Sequence, residues 1–288
     1  MNRIGIYYAY WARDWMVDFH PYVDKVADLG FDQLEVHAGA VAQMSRAERQ
    51  ALKAHADARG LALSYCIGLT RTHDVAAEDD AVRAAGVTYL EQIIRAVGEM
   101  GGGGVGGIIY SAWPEQMPSG MLDKRPAMER SIGSLRQVAP LAEALGVVLN
   151  VEVVNRFEQY LLNTSAEAIA YVREVDSPNV RLMLDTFHLN IEEDQIGAAI
   201  VAAGDLLGHF HIGEANRMPP GRGHMPWNEV VSALRQINYQ GAIVMEPFLQ
   251  VGGEVGRDIR VYRDLSAGLD LDAEARDALA FTRALLAS

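Results

Sequence analysis

The sequence contains almost no cysteine, since Cys66 is the only one among 288 residues. A lone cysteine can form neither an internal disulfide nor a thiolate zinc cluster. The N-terminus also lacks a basic segment followed by an apolar one, which is the pattern of a secretory signal. These features predict a soluble protein of the reducing cytoplasm.

Basic residues are few relative to acidic ones. Lys and Arg number 25 against 38 Asp and Glu, which gives a formal net charge of −13. Such a charge repels the phosphates of nucleic acids and of anionic membranes. No apolar run approaches the ~20 residues of a membrane-spanning helix. We therefore expect neither nucleic acid nor a membrane as a partner.

Apolar segments rich in β-forming residues are abundant. They lie at residues 4–10, 33–38, 61–69, 106–113, 147–154, 180–187, 206–213 and 242–248. Helical patterns separate them, and apolar strands that alternate with helices predict a parallel sheet covered on both faces. Eight such units predict a closed (β/α)8 barrel, a TIM barrel, that forms a single domain over residues 1–288.

The segment 45–60 illustrates the helical pattern. Ser45 and Glu48 have the spacing of a capping box, and Gly60 suits the left-handed position after a helix. The glycine run at 101–104 is expected at a turn between a helix and a strand.

Glu152 lies in the apolar segment "VVLNVEVV", where a buried carboxylate needs a cation or strong donors. Three other polar residues, Asp185, His211 and Glu246, also end predicted strands. The four are separated by 33, 26 and 35 residues, each close to the ~30 residues of one repeat. Because catalytic residues of such barrels project from the carboxyl ends of strands, the four should converge. Two Glu, one Asp and one imidazole suit Mn²⁺, Mg²⁺ or Co²⁺.

Two of these four residues, and some other polar and aromatic residues, also have a structural interpretation. Glu152 could be held by an arginine inside the barrel, and Asp185 could cap the helix that follows its strand. His209 faces the same way as His211, and we expect it to be a hydrogen-bonded core histidine. The aromatic cluster near the N-terminus is either packing or a wall for a sugar; it comprises Tyr7, Tyr8, Tyr10, Trp11 and Trp15.

Four longer motifs carry a resemblance to a known family. They are "EVVNRFEQY" (152–160), "LDTFHLNIEED" (184–194), "GHFHIGEANRMPPGRGHMPW" (208–227) and "MEPF" (245–248). Together they resemble the ketose 3-epimerases, the D-tagatose 3-epimerase and D-psicose (D-allulose) 3-epimerase family of the xylose isomerase-like barrels. Three short motifs are more similar to the D-tagatose branch, namely "CIGL" (66–69), "AWP" (112–114) and "GEANR" (213–217).

The resemblance implies a role for each site residue. The metal ligands of the family fall on Glu152, Asp185, His211 and Glu246, with Mn²⁺ or Co²⁺ as the usual ion. Glu152 and Glu246 are also its acid/base pair. Residues that hold the O1 to O3 end of the ketose fall on Glu158, His188 and Arg217, and an apolar wall for the other end falls on Tyr7, Cys66, Trp113 and Phe248. Family members are homodimers or homotetramers.

The activity so implied is epimerisation of a free ketohexose or ketopentose at C3. The pairs D-tagatose/D-sorbose, D-fructose/D-psicose and L-ribulose/L-xylulose are all candidates. Removal of the C3 proton gives an enediolate that a divalent metal stabilises, and two carboxylates permit inversion. A metal-dependent aldose–ketose 1,2-isomerase and a non-catalytic sugar-binding barrel are the alternatives. A metal-dependent nuclease on this barrel agrees less well with the acidic charge.

Overall fold

Eight parallel strands pair in the order in which they occur in the sequence, and the first also pairs with the eighth. The computed structural model describes residues 2–288 of the chain. The strands are β1 (Ile4–Tyr7), β2 (Gln33–His37), β3 (Ala62–Cys66), β4 (Gly103–Gly107), β5 (Val147–Glu152), β6 (Val180–Asp185), β7 (Leu207–Ile212) and β8 (Ile243–Met245). The sheet is a closed barrel, so the predicted (β/α)8 architecture is confirmed.

Helices surround this barrel. Within residues 2–288 the α-helices are α1 (His20–Asp28), α2 (Ala38–Gln43), α3 (Arg46–Ala58), α4 (Asp80–Glu99), α5 (Arg125–Ala144), α6 (Ser165–Val175), α7 (Thr186–Glu192), α8 (Ile196–Ala203), α9 (Trp227–Gln236), α10 (Gly253–Asp258) and α11 (Leu271–Ala287). Short 3-10 turns occupy Tyr8–Tyr10, Arg71–His73 and Gly204–Leu206. The capping box of Ser45 and Glu48 is present at the start of α3, and Gly60 has a φ of +68° just beyond its end. None of the helices in the described residues is both long and apolar enough to cross a bilayer.

The prediction for the fourth strand was wrong in position. We expected residues 106–113, but β4 begins inside the glycine run, and residues 108–113 lie beyond it. Glycine is depleted in ordinary strands, so its presence indicated a turn. Here residues from elsewhere in the barrel occupy the space of the missing side chains. A Cβ atom at Gly106 would lie 2.5 Å from Sδ of Met183, and one at Gly107 would lie 2.2 Å from the carbonyl oxygen of Ile67.

The register of the barrel brings polar residues together at one end. Asp185 on β6 lies beside His211 on β7, and His211 lies beside Val244 on β8. Glu152 is the last residue of β5 and lies beside Met183. The polar residues therefore share the carboxyl ends of the strands.

Candidate active site

Four polar side chains converge at the carboxyl ends of the last four strands. Glu152 ends β5, Asp185 ends β6, His211 lies on β7, and Glu246 directly follows β8. Each is buried, and each offers one ligand atom within 4.8 Å of those of the other three. The structure thus brings together the residues that the spacing predicted to converge.

The two ring nitrogens of His211 have different surroundings. Nε2 lies 2.5 Å from Oε1 of Glu35, a residue of β2. Nδ1 lies 3.5 Å from Oε1 of Glu246 and has no hydrogen-bond partner within residues 2–288. A buried ring nitrogen without a partner, facing three carboxylates, is what a metal-ligating histidine requires.

The chemistry of this donor set fits a divalent cation. Burial and the adjacent Glu246 carboxylate raise the pKa of Glu152 well above its usual value, although His211 and Arg217 lower it. Three carboxylates at this depth repel one another unless positive charge compensates them. Carboxylate oxygens with one imidazole nitrogen suit Mn²⁺, Mg²⁺ or Co²⁺. The pocket therefore has both the ligand atoms and the electrostatic demand for such an ion.

Asp185 has a structural contact as well as its place among the four proposed metal ligands. Its Oδ1 atom accepts a hydrogen bond of 2.8 Å from the backbone N–H of Phe187 at the start of α7. Its Oδ2 atom lies 3.2 Å from Nη1 of Arg217. Asp185 therefore does cap the following helix, as the sequence suggested. Only its Oδ1 atom is used for the cap, so Oδ2 is directed into the polar cluster.

Arg217 is the cation that reaches the carboxylate cluster. Its Nη1 atom lies 3.0 Å from Oε2 of Glu246, and its guanidinium carbon lies 3.8 Å from the ring centroid of Phe187. The backbone of Arg217 has a φ of +62°, which is unusual for a residue with a side chain. The surrounding loop is held by Glu214, which accepts hydrogen bonds from Gly221, Met225 and Trp227.

Asn155 fixes His188 in one tautomer of the neutral ring. Asn155 donates to Nδ1 of His188 from its backbone N–H at 3.1 Å and from Nδ2 at 2.8 Å. The proton of the neutral ring is therefore on Nε2, which lies 3.9 Å from Oε1 of Glu152. Burial lowers the pKa of His188, although Glu158 raises it. His188 thus presents a neutral N–H donor beside Glu152.

Glu158 is held by two donors. Asn155 Nδ2 donates to its Oε1 atom at 3.1 Å, and Trp113 Nε1 donates to its Oε2 atom at 3.0 Å. Burial alone would raise the pKa of Glu158, but His188 and Arg217 together with these donors lower it. Glu158 is therefore a carboxylate at neutral pH.

A cavity of about 650 Å³ opens above the cluster. This volume is typical of a pocket for a small molecule. Of the residues predicted to bind metal or sugar, those that line it are Glu152, Glu158, His188, Arg217, Glu246, Tyr7, Cys66, Trp113 and Phe248. Tyr7, Cys66, Trp113 and Phe248 thus form an aromatic and apolar wall, and the charged residues form the floor. This combination suits a polyol with one reactive end.

Some residues of the N-terminal aromatic cluster line the cavity and others pack in the core. Tyr7 and Trp15 line the cavity, with their ring centroids 6.4 Å apart. Tyr8 and Tyr10 are fully buried in the core. His209 is buried with Nε2 2.8 Å from Oε2 of Glu35, so it is a core histidine as predicted, but this nitrogen lacks the predicted hydrogen bond within the described residues.

Sequence reasoning missed several residues of this site. Glu35 lies between Leu34 and Val36, the same signal of an acid in an apolar strand that singled out Glu152. His37 and Asp258 also line the cavity, but no local pattern distinguishes them from ordinary surface residues.

The fold and the site define a class of protein. The Xylose isomerase-like TIM barrel family matches residues 23–285. The chain belongs to this family, and within it to the ketose 3-epimerases.

Similar proteins of that kind match over nearly the whole chain. A D-psicose 3-epimerase of Agrobacterium fabrum is 47% identical over 285 residues, covering 98% of each chain. An L-ribulose 3-epimerase of Mesorhizobium japonicum is 34% identical and covers 98% of this chain and 93% of its own. A crystal structure of D-psicose 3-epimerase in the presence of D-fructose superposes with a TM-score of 0.96 at 47% identity, covering 99% of this chain and 100% of that one.

Proposed function

We propose that the protein is a metal-dependent ketose 3-epimerase, which interconverts free ketoses that differ in configuration at C3. The observation that carries this proposal is the pair Glu152 and Glu246. The two carboxylates lie on β5 and directly after β8, strands that are not neighbours in the barrel, and both line the same cavity. They can therefore approach one bound sugar from different sides.

The proposed chemistry begins with the acidity of the substrate. The C3 hydrogen of a ketose is adjacent to the C2 carbonyl, so its removal gives an enediolate of the sugar. When bound by Glu152, Asp185, His211 and Glu246, a divalent cation would supply Lewis acidity to the oxygens at C2 and C3. We favour Mn²⁺ or Co²⁺, with Mg²⁺ also compatible with this donor set.

Glu152 and Glu246 would exchange the proton at C3. One carboxylate removes it from one face, and the other, as the carboxylic acid, returns a proton to the opposite face. Their protonation states must therefore differ, one starting as the carboxylate and the other as the carboxylic acid. The roles exchange in the reverse direction, since the starting configuration at C3 is then inverted.

The remaining residues would bind and orient the sugar. His188 would donate its Nε2–H, and Arg217 its guanidinium, to the oxygen at C2. Glu158, held as a carboxylate, would accept from the hydroxyl at C1. The aromatic and apolar wall of Tyr7, Cys66, Trp113 and Phe248 would contact the far end of the chain. A free ketose agrees better than a sugar phosphate with the net charge of −13.

The relatives described above are named as psicose and ribulose epimerases, and the crystal structure described above was obtained in the presence of D-fructose. Short motifs of this chain resemble the tagatose branch instead. We further propose a cytoplasmic homodimer or homotetramer, on the basis of the family resemblance.

The test is a parallel assay with four ketoses. Protein loaded with Mn²⁺ is incubated with D-fructose, D-psicose, D-tagatose and L-ribulose, and the products are separated by chromatography. We expect the C3 epimer of at least one sugar and its absence with Glu246→Gln. An aldose product would favour the 1,2-isomerase, and binding without turnover would favour the non-catalytic barrel.

A further inference from the structure

A second group of buried polar residues lies behind the proposed metal site. Glu35 on β2 is 0% exposed and contacts both histidines of β7. Its Oε1 atom lies 2.5 Å from Nε2 of His211, and its Oε2 atom lies 2.8 Å from Nε2 of His209. Glu35 therefore meets His211 on the side of the ring that faces away from Glu246.

Glu35 is itself held in place by a directional chain of hydrogen bonds. Gln33 Nε2 donates to Oγ of Ser64 at 2.7 Å, so the hydroxyl hydrogen of Ser64 is available to Glu35. Ser64 Oγ donates to Oε2 of Glu35, also at 2.7 Å. Glu35 and Ser64 are paired across β2 and β3, and both are buried. Because both carboxylate oxygens are engaged, the side chain cannot rotate without breaking a buried contact.

We infer that Glu35 is a positioning residue, which keeps the hydrogen of the neutral His211 ring on Nε2, so that Nδ1 is the nitrogen available to the metal. The inference rests on the metal-dependent function proposed above. It follows from the geometry, since a carboxylate at 2.5 Å is an acceptor and requires a hydrogen on Nε2. A carboxylate behind a ligating histidine fixes the ring orientation and increases the basicity of the ligating nitrogen.

The alternative is a second ion between Glu35, His209 and His211. Their ligand atoms also lie within 4.8 Å of one another. Such an ion would need Nε2 of His211, the atom that already contacts Glu35. The contact of 2.5 Å between His211 and Glu35 is that of a direct hydrogen bond between the side chains, so we assign the group to orientation.

The experiment compares metal affinity in three proteins by calorimetric titration with Mn²⁺ after chelation. They are the wild type, Glu35→Gln and His209→Gln. His209→Gln is a matched control, because it changes the same buried group but preserves the contact between Glu35 and His211. Circular dichroism and thermal melting of the chelated proteins check that each one folds. We expect one ion per chain in the wild type, an affinity loss of roughly 10- to 100-fold in Glu35→Gln, and near wild-type affinity in His209→Gln.

A measurement on the wild type alone tests the inference even if a variant does not fold. In the Mg²⁺-loaded protein, ¹⁵N spectra of the histidine rings should show His211 with its hydrogen on Nε2 and none on Nδ1. Hydrogen on Nδ1, equal affinities in wild type and Glu35→Gln, or equal losses in the two variants would overturn the inference. Two ions per chain would also overturn it, in favour of a second metal site. Failure of the wild type to bind any ion would instead reject the proposed function.

Discussion

The Nη1 atom of Arg217 lies 3.0 Å from the Oε2 atom of Glu246. The same nitrogen lies 3.2 Å from Asp185 Oδ2, so one guanidinium contacts two of the four proposed ligands. Asp185 and Glu246 together raise the pKa of Arg217 above its usual value, although burial lowers it, and the side chain stays charged. Arg217 thus compensates part of the negative charge at the site and lines the cavity as well.

This arrangement predicts that mutation can distinguish the proposed role of Arg217, binding the sugar, from that of Asp185, binding the metal. Arg217→Ala should retain the metal but raise the KM for the ketose by roughly 10- to 100-fold, because a hydrogen bond to a charged group contributes about 1.5–3 kcal/mol. Asp185→Asn should lose the metal. The measurement is metal content by elemental analysis beside steady-state kinetics, with Arg217→Lys as a variant that keeps the charge. Equal metal loss in Arg217→Ala and Asp185→Asn would contradict the division.

Removal of the metal should lower both activity and stability. Ion binding to the folded state alone stabilises it by mass action, by about 2.7 kcal/mol at a hundredfold excess over Kd. We therefore expect chelation to abolish turnover, and added Mn²⁺ or Co²⁺ to restore it and to raise the Tm. Asp185→Asn serves as the control, since its Tm should not respond to the ion. Full turnover of protein shown to be metal-free would refute the site.

The metal-free protein should become less stable as the pH rises. Burial and Glu246 raise the pKa of Glu152 above 4.5, while for His211 the effect of Glu35 and Glu246 outweighs burial and raises its pKa above 6.5. Stability from a raised pKa is present below the unfolded-state value and is lost as the pH rises through the folded-state value. The stability contributed by Glu152 is therefore lost at pH values above 4.5, and the stability contributed by His211 is lost at pH values above 6.5.

The ion displaces these same protons, so its affinity should increase with pH. We expect the Tm difference between Mn²⁺-loaded and chelated protein to grow as the pH rises through 6.5, because both pKa values are raised in the metal-free protein. Glu152→Gln should reduce that dependence, because the amide does not titrate. A Tm difference that is constant over this rise in pH would show that neither group binds a proton in the metal-free state.

The barrel and its polar end were predictable because both depend on local patterns that repeat. Apolar strands alternate with helices, and Glu152 stands out because an acid in such a strand needs a partner. Those features are present in the residues themselves. The position of β4 could not be predicted in this way, since its glycines are explained by Met183 on β6 and by Ile67, the residue after β3.

The supporting residues were also hidden from local patterns. Asn155, which fixes the tautomer of His188, is 33 residues away from it in the sequence, and Glu35 is 176 residues away from His211. Such contacts depend on the closure of the barrel. Trp15 was noted as an aromatic residue, but its stacking against His37 at 5.9 Å could be found only in three dimensions.

Glu152→Gln and Glu246→Gln should each suppress epimerisation by roughly 10²- to 10⁴-fold, because each removes one proton-transfer partner. Each variant retains an oxygen at the site. The carboxylate that remains can still remove the C3 proton of the epimer that faces it. We therefore expect one variant to exchange the C3 proton of one epimer with D₂O without inversion, as measured by NMR. Wild-type turnover in either variant would contradict the two-carboxylate mechanism.

The most direct test of C3 epimerisation is turnover of the wild-type enzyme in D₂O, followed by NMR of the separated products. The proton delivered to C3 comes from a carboxylic acid that exchanges with solvent between turnovers. The account predicts a ketose product that carries deuterium at C3 and none at C1. An aldose product with an unlabelled C3 would contradict it.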